Sequence, residues 1–162
     1  MIHARGSPAL ALAAVLLQAS GAHLDDARRR DDAVFEAVFR QQIEFWLDPS
    51  ARASRTVICL AIDPGGSARS VSREYVSRFR AEPAVRRGAE CETGPGGAVE
   101  RATLLPAVLV TAGPVDWVGA DEAWVTVSYF RSPLQSGVTT YRVVWEDGKW
   151  ICLGPIFKQA PA

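Results

Sequence analysis

The dipeptide Asp147-Gly148 sits between two stretches of alternating character, and it constrains the fold more than any other feature of the chain. Asp-Gly in such a setting closes a two-residue hairpin, because glycine takes the second positive-φ position of the turn without steric cost. The register then follows by counting outward. Glu146 pairs with Lys149, Trp145 with Trp150, Val144 with Ile151 and Val143 with Cys152. Alternation places Tyr141, Val143, Trp145, Trp150 and Cys152 on one face of a sheet. Upstream, Ala123, Val125, Val127 and Tyr129 alternate with Trp124, Thr126, Ser128 and Phe130, which predicts another strand. Residues 101–118 also read as strand, interrupted by Pro106 and by Gly113-Pro114. A glycine and a proline inside strand pattern predict a bulge or sharp bend at a sheet edge.

The earlier half of the chain has a different period. Within residues 33–47, Val34, Phe35, Val38, Phe39, Ile43, Trp46 and Leu47 recur at spacings of three and four. This predicts an amphipathic helix with one large buried face, capped by Asp31 or Asp32 and ended by Asp48-Pro49-Ser50. Residues 56–62, TVICLAI, predict a strand. Ser70 is placed to cap a second helix through Arg80, with Val71, Tyr75, Val76 and Phe79 as its apolar stripe. Residues 81–99 read as a long connection, most irregular at Gly94-Pro95-Gly96-Gly97. Helices segregated from a run of strands imply an α+β fold. The expected architecture is two helices packed on a curved antiparallel sheet of about four to five strands.

Residues 1–22 carry a basic start, a ten-residue apolar core over 8–17 and small residues at Ser20 and Ala22. The core is too short to span a bilayer and precedes a cleavage signature, so it reads as a removable export signal. The expected division is a signal peptide at 1–22, a polar spacer at 23–32, a single α+β domain at 33–157 and a tail at 158–162. Localisation would be periplasmic or secreted. Arg5 lies in the leader, so the mature chain carries 17 basic against 18 acidic side chains. That balance argues against a nucleic-acid partner, which needs a basic surface. No later segment is apolar for long enough to be a membrane span.

An oxidising compartment favours one disulfide among the three cysteines, Cys59, Cys91 and Cys152. Three pairings are possible. The chain leaves the strand holding Cys59, forms a helix and returns at Cys91, which favours Cys59–Cys91. Cys152, in strand pattern, is then a small buried apolar residue.

The segment TYRVVWEDGKWIC resembles the closing hairpin of the cystatin-like cone fold, the fold of nuclear transport factor two and its bacterial relatives. The chain as a whole resembles a group of uncharacterised exported bacterial proteins. The resemblance rests on the FEAVFRQQ helix, the CLAI strand, the EC pair after the second helix, the GPVDW bend and the VVWEDGKW hairpin. It implies helices across one face of a curved sheet, with a pocket between them. Enzymes of that fold often set an Asp or Glu beside a Tyr in this pocket.

The histidine inventory restricts the chemistry. His3 falls in the leader, which leaves His23 alone, at the expected new N-terminus. A Ser-His-Asp triad, a Cys-His dyad in the domain and a multi-histidine zinc site are therefore excluded. An N-terminal copper site at His23 would need a second histidine, so no metal is expected. There is no CxxC, no GxGxxG and no P-loop lysine after the GPGG at 94–97, so no cofactor is expected either. The remaining acid–base candidates are Glu36, Glu44 and above all Asp116, which could act with Tyr129 or Tyr141 as base and hydrogen-bond donor. Alternation turns Asp116 away from the face of Val115 and Trp117, which speaks against that role. Trp117, Trp124, Trp145 and Trp150 could line a ligand pocket or fill the core. The expected function is a non-catalytic binding module for a small apolar ligand or another envelope protein. The competing expectation is a cofactor-free lyase or isomerase using the Asp/Tyr pair. A filled interior would favour interaction, and a paired carboxylate in a cavity would favour catalysis.

Overall fold

The computed structural model describes residues 9–47 and 56–156, with side chains from Ala27 onward. The chain divides into two compact units, Met1–Ala33 and Val34–Ala162. Helix α1 (Ala9–Trp46) begins in the first unit and ends in the second. The expected spacer at 23–32 is therefore helical, and Asp31 and Asp32 do not cap a helix start. No proline occurs between Ala9 and Trp46, and the alanines, leucines and arginines of this stretch are good helix formers, so nothing stops the helix at Asp32. Residues 1–8, the expected stop at Asp48-Pro49-Ser50 and the tail at 158–162 lie outside the described residues.

The second unit continues with β1 (Val57–Ile62), β2 (Arg69–Ser70), α2 (Arg73–Val76), β3 (Val85–Arg87), β4 (Cys91–Gly94) and β5 (Gly97–Glu100). The long strands follow: β6 (Ala107–Trp117), β7 (Glu122–Ser132), β8 (Gln135–Glu146) and β9 (Lys149–Pro155). A seven-stranded sheet runs β2-β1-β6-β7-β8-β9, with β3 also paired to β1, and β4 and β5 form a separate two-stranded sheet. The α+β class is as expected, but the cone of two helices on four to five antiparallel strands is overturned. The sheet is larger, and β1 runs parallel to both β3 and β6. The cause is visible in β1, where Val57 through Ala61 are all buried. A short strand buried on both faces and paired on both edges is the pattern of a parallel strand. The second helix also shrinks. Ser72 caps α2, its hydroxyl accepting from the Tyr75 amide at 3.0 Å, and after one turn the chain tightens into a 3-10 turn over Ser77–Phe79. The stretch at 81–99, expected to be a connection, holds β3, β4 and the start of β5.

The bend at Gly113-Pro114 is a bulge, with the β6–β7 register shifting between Ala112 and Val115. The β1 pairing ends at Ile62 opposite Ala112. Pro114, which has no N–H, therefore falls where β6 has run out of its β1 neighbour. The closing hairpin has the register counted from the sequence, residue for residue, from Glu146↔Lys149 to Val143↔Cys152. Asp147 at φ 50° and Gly148 at φ 80° supply the two left-handed positions of the turn. Gly148→Val is expected to cost about 1–3 kcal/mol through backbone strain. Glu146→Ala, which removes an exposed side chain, should cost under about 1 kcal/mol. Urea denaturation of the two variants side by side checks this, and equal losses would contradict the turn assignment.

One core lies between α1 and the sheet. Val34, Phe35, Val38, Phe39 and Ile43 of α1 meet Ile58, Leu60, Val108, Val110, Val125, Val127 and Val143, with Tyr75 and Phe79 from the α2 region. Glu36 accepts from Arg40 one turn along α1 at 2.6 Å and from Arg78 at 3.2 Å, the second contact tying α1 to the 3-10 turn. A smaller core lies on the opposite face, where Val57, Cys59 and Ala107 meet Cys91 and Ala98 of the β4–β5 hairpin. The Cys59–Cys91 disulfide joins sheet to hairpin there, and Cys152 is unpaired.

Glu100 anchors this hairpin from within. Its side chain is buried and accepts from Arg86 Nε at 2.8 Å and from the Thr103 hydroxyl. The Thr103 hydrogen bond, aided by Arg86 and opposed by burial, holds the Glu100 carboxyl below the usual carboxylate range. A carboxyl with a depressed folded-state pKa contributes stability above its unfolded pKa and loses it as pH falls through the folded value. The unfolding midpoint is thus expected to drop in acid from the ordinary carboxylate range downward. Glu100→Gln should show a shallower acid slope in thermal unfolding followed against pH. An unchanged slope would remove Glu100 from this role.

Candidate functional site

The two faces of the long strands differ in what they offer. On the side of α1 the described side chains pack closely. Phe39 is fully buried and meets Tyr75 edge-on at 6.1 Å. Trp46 meets Tyr129 at 5.2 Å, and its indole Nε1 is buried without a hydrogen-bond partner. Tyr141 hydrogen-bonds the buried Gln42, and burial pushes its phenol pKa up. Burial likewise raises the pKa of the Cys152 thiol. Both groups are thereby held in their protonated forms, which makes Tyr141 a poor base and Cys152 a poor nucleophile.

Three of the four tryptophans singled out from the sequence share this side. Trp150 contacts Trp117 at 5.3 Å and Trp145 at 5.4 Å, in edge-to-face geometry. The row that starts at Trp117 on β6 runs through Ala123 and Val143 to Cys152 on β9, and Trp150 stands two residues from Cys152 on the same face. The two indoles lean together over these smaller residues, and Ala123 and Val143 are fully buried beneath them. This is a cross-strand aromatic ladder closing the end of the core. Trp145, the outermost member, remains 46 % exposed.

Trp124 lies on the other face. Its Nε1 donates to Glu122 at 3.0 Å, and Glu122 also accepts from Arg142 Nε at 3.0 Å and Nη2 at 2.8 Å. Arg142 first, then Trp124, holds the Glu122 carboxyl below its usual range. Asp116 pairs with Trp124 in register and is exposed on this outer face. Tyr129 and Tyr141 point to the α1 side, so the structure does not bring Asp116 together with either tyrosine. Glu36 is engaged by Arg40 and Arg78, and Glu44 is exposed.

The outer face carries a feature that the sequence reading missed. Successive cross-strand rows present Leu109 beside Phe130 and Ser136, then Thr111 beside Ser128 and Val138, then Thr126 beside Thr140, then Asp116 beside Trp124 and Arg142. The first two rows, with Tyr129 and Gly137 at their border, line an open groove of about 310 Å³. Leu109 and Phe130 form its apolar end, where they pack against the smaller core under the β4–β5 hairpin. Thr111, Ser128 and Ser136 contribute hydroxyls, and Val138 is 69 % exposed. Thr126 and Thr140 hydroxyls are hydrogen-bonded at 3.1 Å along the same floor. The signal was present in the alternation of Trp124, Thr126, Ser128 and Phe130. It shows that these residues share a face, but not that the face is open.

Among the described residues, no three His, Cys, Asp or Glu side chains come together as a metal site, and no helix is long and apolar enough to cross a membrane. No family model, curated protein or solved structure matches the chain.

Proposed function

We propose that this protein is a non-catalytic binding module acting outside the cytoplasm, and that it takes a small amphipathic ligand in the groove on the outer face of β6, β7 and β8. The observation that carries the reading is the contrast between the faces. On the α1 side Phe39, Trp46, Tyr129 and the tryptophan ladder pack against one another and the sheet, while the outer side holds a groove of about 310 Å³. That volume is at the lower end of small-ligand sites. The groove's lining has an apolar end, the Thr111, Ser128 and Ser136 hydroxyls and Tyr129, and it contains no carboxylate, imidazole or thiol to act as a base, which supports binding over acid–base or nucleophilic chemistry. The Cys59–Cys91 disulfide is compatible with export.

The test is native mass spectrometry of the protein recovered from the extracytoplasmic fraction. A bound small molecule is expected with the wild-type chain and should be absent from Ser128→Trp, which fills the groove. Retention of the same molecule by Ser128→Trp, or no bound species in the wild type, would overturn the reading.

A further inference from the structure

The outer face extends beyond the groove, and its chemistry narrows the ligand class. Resting on the reading above, we propose that the ligand is a neutral glycan, a short oligosaccharide lying along β7 from Phe130 to Trp124. Six residue steps separate these two rings, which at about 3.4 Å per residue is about 20 Å. Between them the floor carries four hydroxyls, those of Thr111, Ser128, Thr126 and Thr140, on three adjacent strands, with the exposed Val138 beside Ser128. A hydroxyl both donates and accepts, so a floor of hydroxyls suits a ligand whose own polar groups are hydroxyls.

Each end supplies a ring for the apolar C–H face of a sugar. Trp124 is held for this purpose, because its N–H is committed to Glu122 and Glu122 is clamped by the Arg142 guanidinium. Side chains fixed before binding lose little entropy on binding. Asp116, exposed beside Trp124, adds a carboxylate able to accept from neighbouring hydroxyls of one ring. The charges also discriminate. Arg142 is neutralised by Glu122 and Asp116 adds a negative charge, so an anionic polymer finds no cationic surface here. A lipid chain would offer nothing to the Thr111 and Ser128 hydroxyls, whereas Thr126 and Thr140 already bond each other.

Isothermal titration with cellotetraose, chitotetraose and maltotetraose, with NMR mapping of the perturbed amides, tests the proposal. One of the three is expected to bind with Kd between about 10 μM and 1 mM. Trp124→Ala should weaken it about tenfold or more. Asp116→Asn, a change at an exposed position that leaves folding intact, should weaken it about threefold. Thermal unfolding of each variant separates lost binding from lost fold. Failure of all three sugars to bind, or binding indifferent to both Trp124→Ala and Asp116→Asn, would overturn the glycan. If a co-purified non-sugar molecule is expelled by Ser128→Trp while the sugars fail, the groove stands and the glycan proposal falls.

Discussion

Phe39→Ala is expected to lower the unfolding free energy by about 3–5 kcal/mol, the range for truncating a fully enclosed aromatic side chain. Phe39 is 0 % exposed at the centre of the α1 face, between Tyr75 and the apolar rows of β1, β6 and β7. Its removal leaves a cavity that α1 cannot close without dragging Val34, Val38 and Ile43 off the sheet. Phe45 is the internal control. It lies on the same helix but is 64 % exposed, so Phe45→Ala should cost under about 1 kcal/mol. Urea denaturation of both variants reads the difference. Comparable losses would mean that α1 presents a different face to the sheet.

Loss of the Cys59–Cys91 bridge is expected to cost about 3–4 kcal/mol, the chain-entropy value for a closure of this length. The two cysteines are 32 residues apart and both are buried, Cys59 in the strand β1 and Cys91 at the head of β4. The bridge ties the β4–β5 hairpin to the sheet, and the hairpin lies flush on β7. A Cβ at Gly97 would stand 2.5 Å from the Arg131 carbonyl oxygen. The Cys59→Ala/Cys91→Ala variant should unfold at lower denaturant than the oxidised wild type, and dithiothreitol should bring the wild type to the same midpoint. Cys152→Ala should leave the dithiothreitol response intact. A disulfide peptide containing Cys152, or a wild type indifferent to reduction, would contradict this arrangement.

These expectations bear on the binding reading, because the hairpin backs the apolar end of the groove. Leu109 and Phe130 belong both to the groove lining and to the residues packed under the hairpin. Removing the bridge should therefore loosen the groove while leaving the tryptophan ladder, on the other face, in place.

Local chemistry was sufficient for some of this structure. The Asp-Gly turn, the register from Glu146 to Cys152, the bulge at Gly113-Pro114 and the apolar face of α1 are written in nearest-neighbour terms. Turn geometry, strand alternation and helical spacing act within a few residues, so the sequence by itself determined them. The Cys59–Cys91 pairing was legible for a related reason, since the chain between them leaves a strand and returns. What the sequence could not determine was everything that depends on distant partners. Whether β1 pairs with β3 and β6 in parallel, and so enlarges the sheet to seven strands, is decided by long-range pairing. The strand β3 within residues 81–99 exists through that pairing, which overrides local propensity, whereas β4 and β5 pair only with each other as a hairpin. The candidate site was hidden for the same reason. Alternation shows that Asp116 faces away from Val115 and Trp117 and that Trp124 faces away from Tyr129, while the alignment of one strand's face with the next comes only from the pairing register. Only the tertiary structure decides which face α1 fills and which remains open, because that choice depends on where the helix and the β4–β5 hairpin find their buried area.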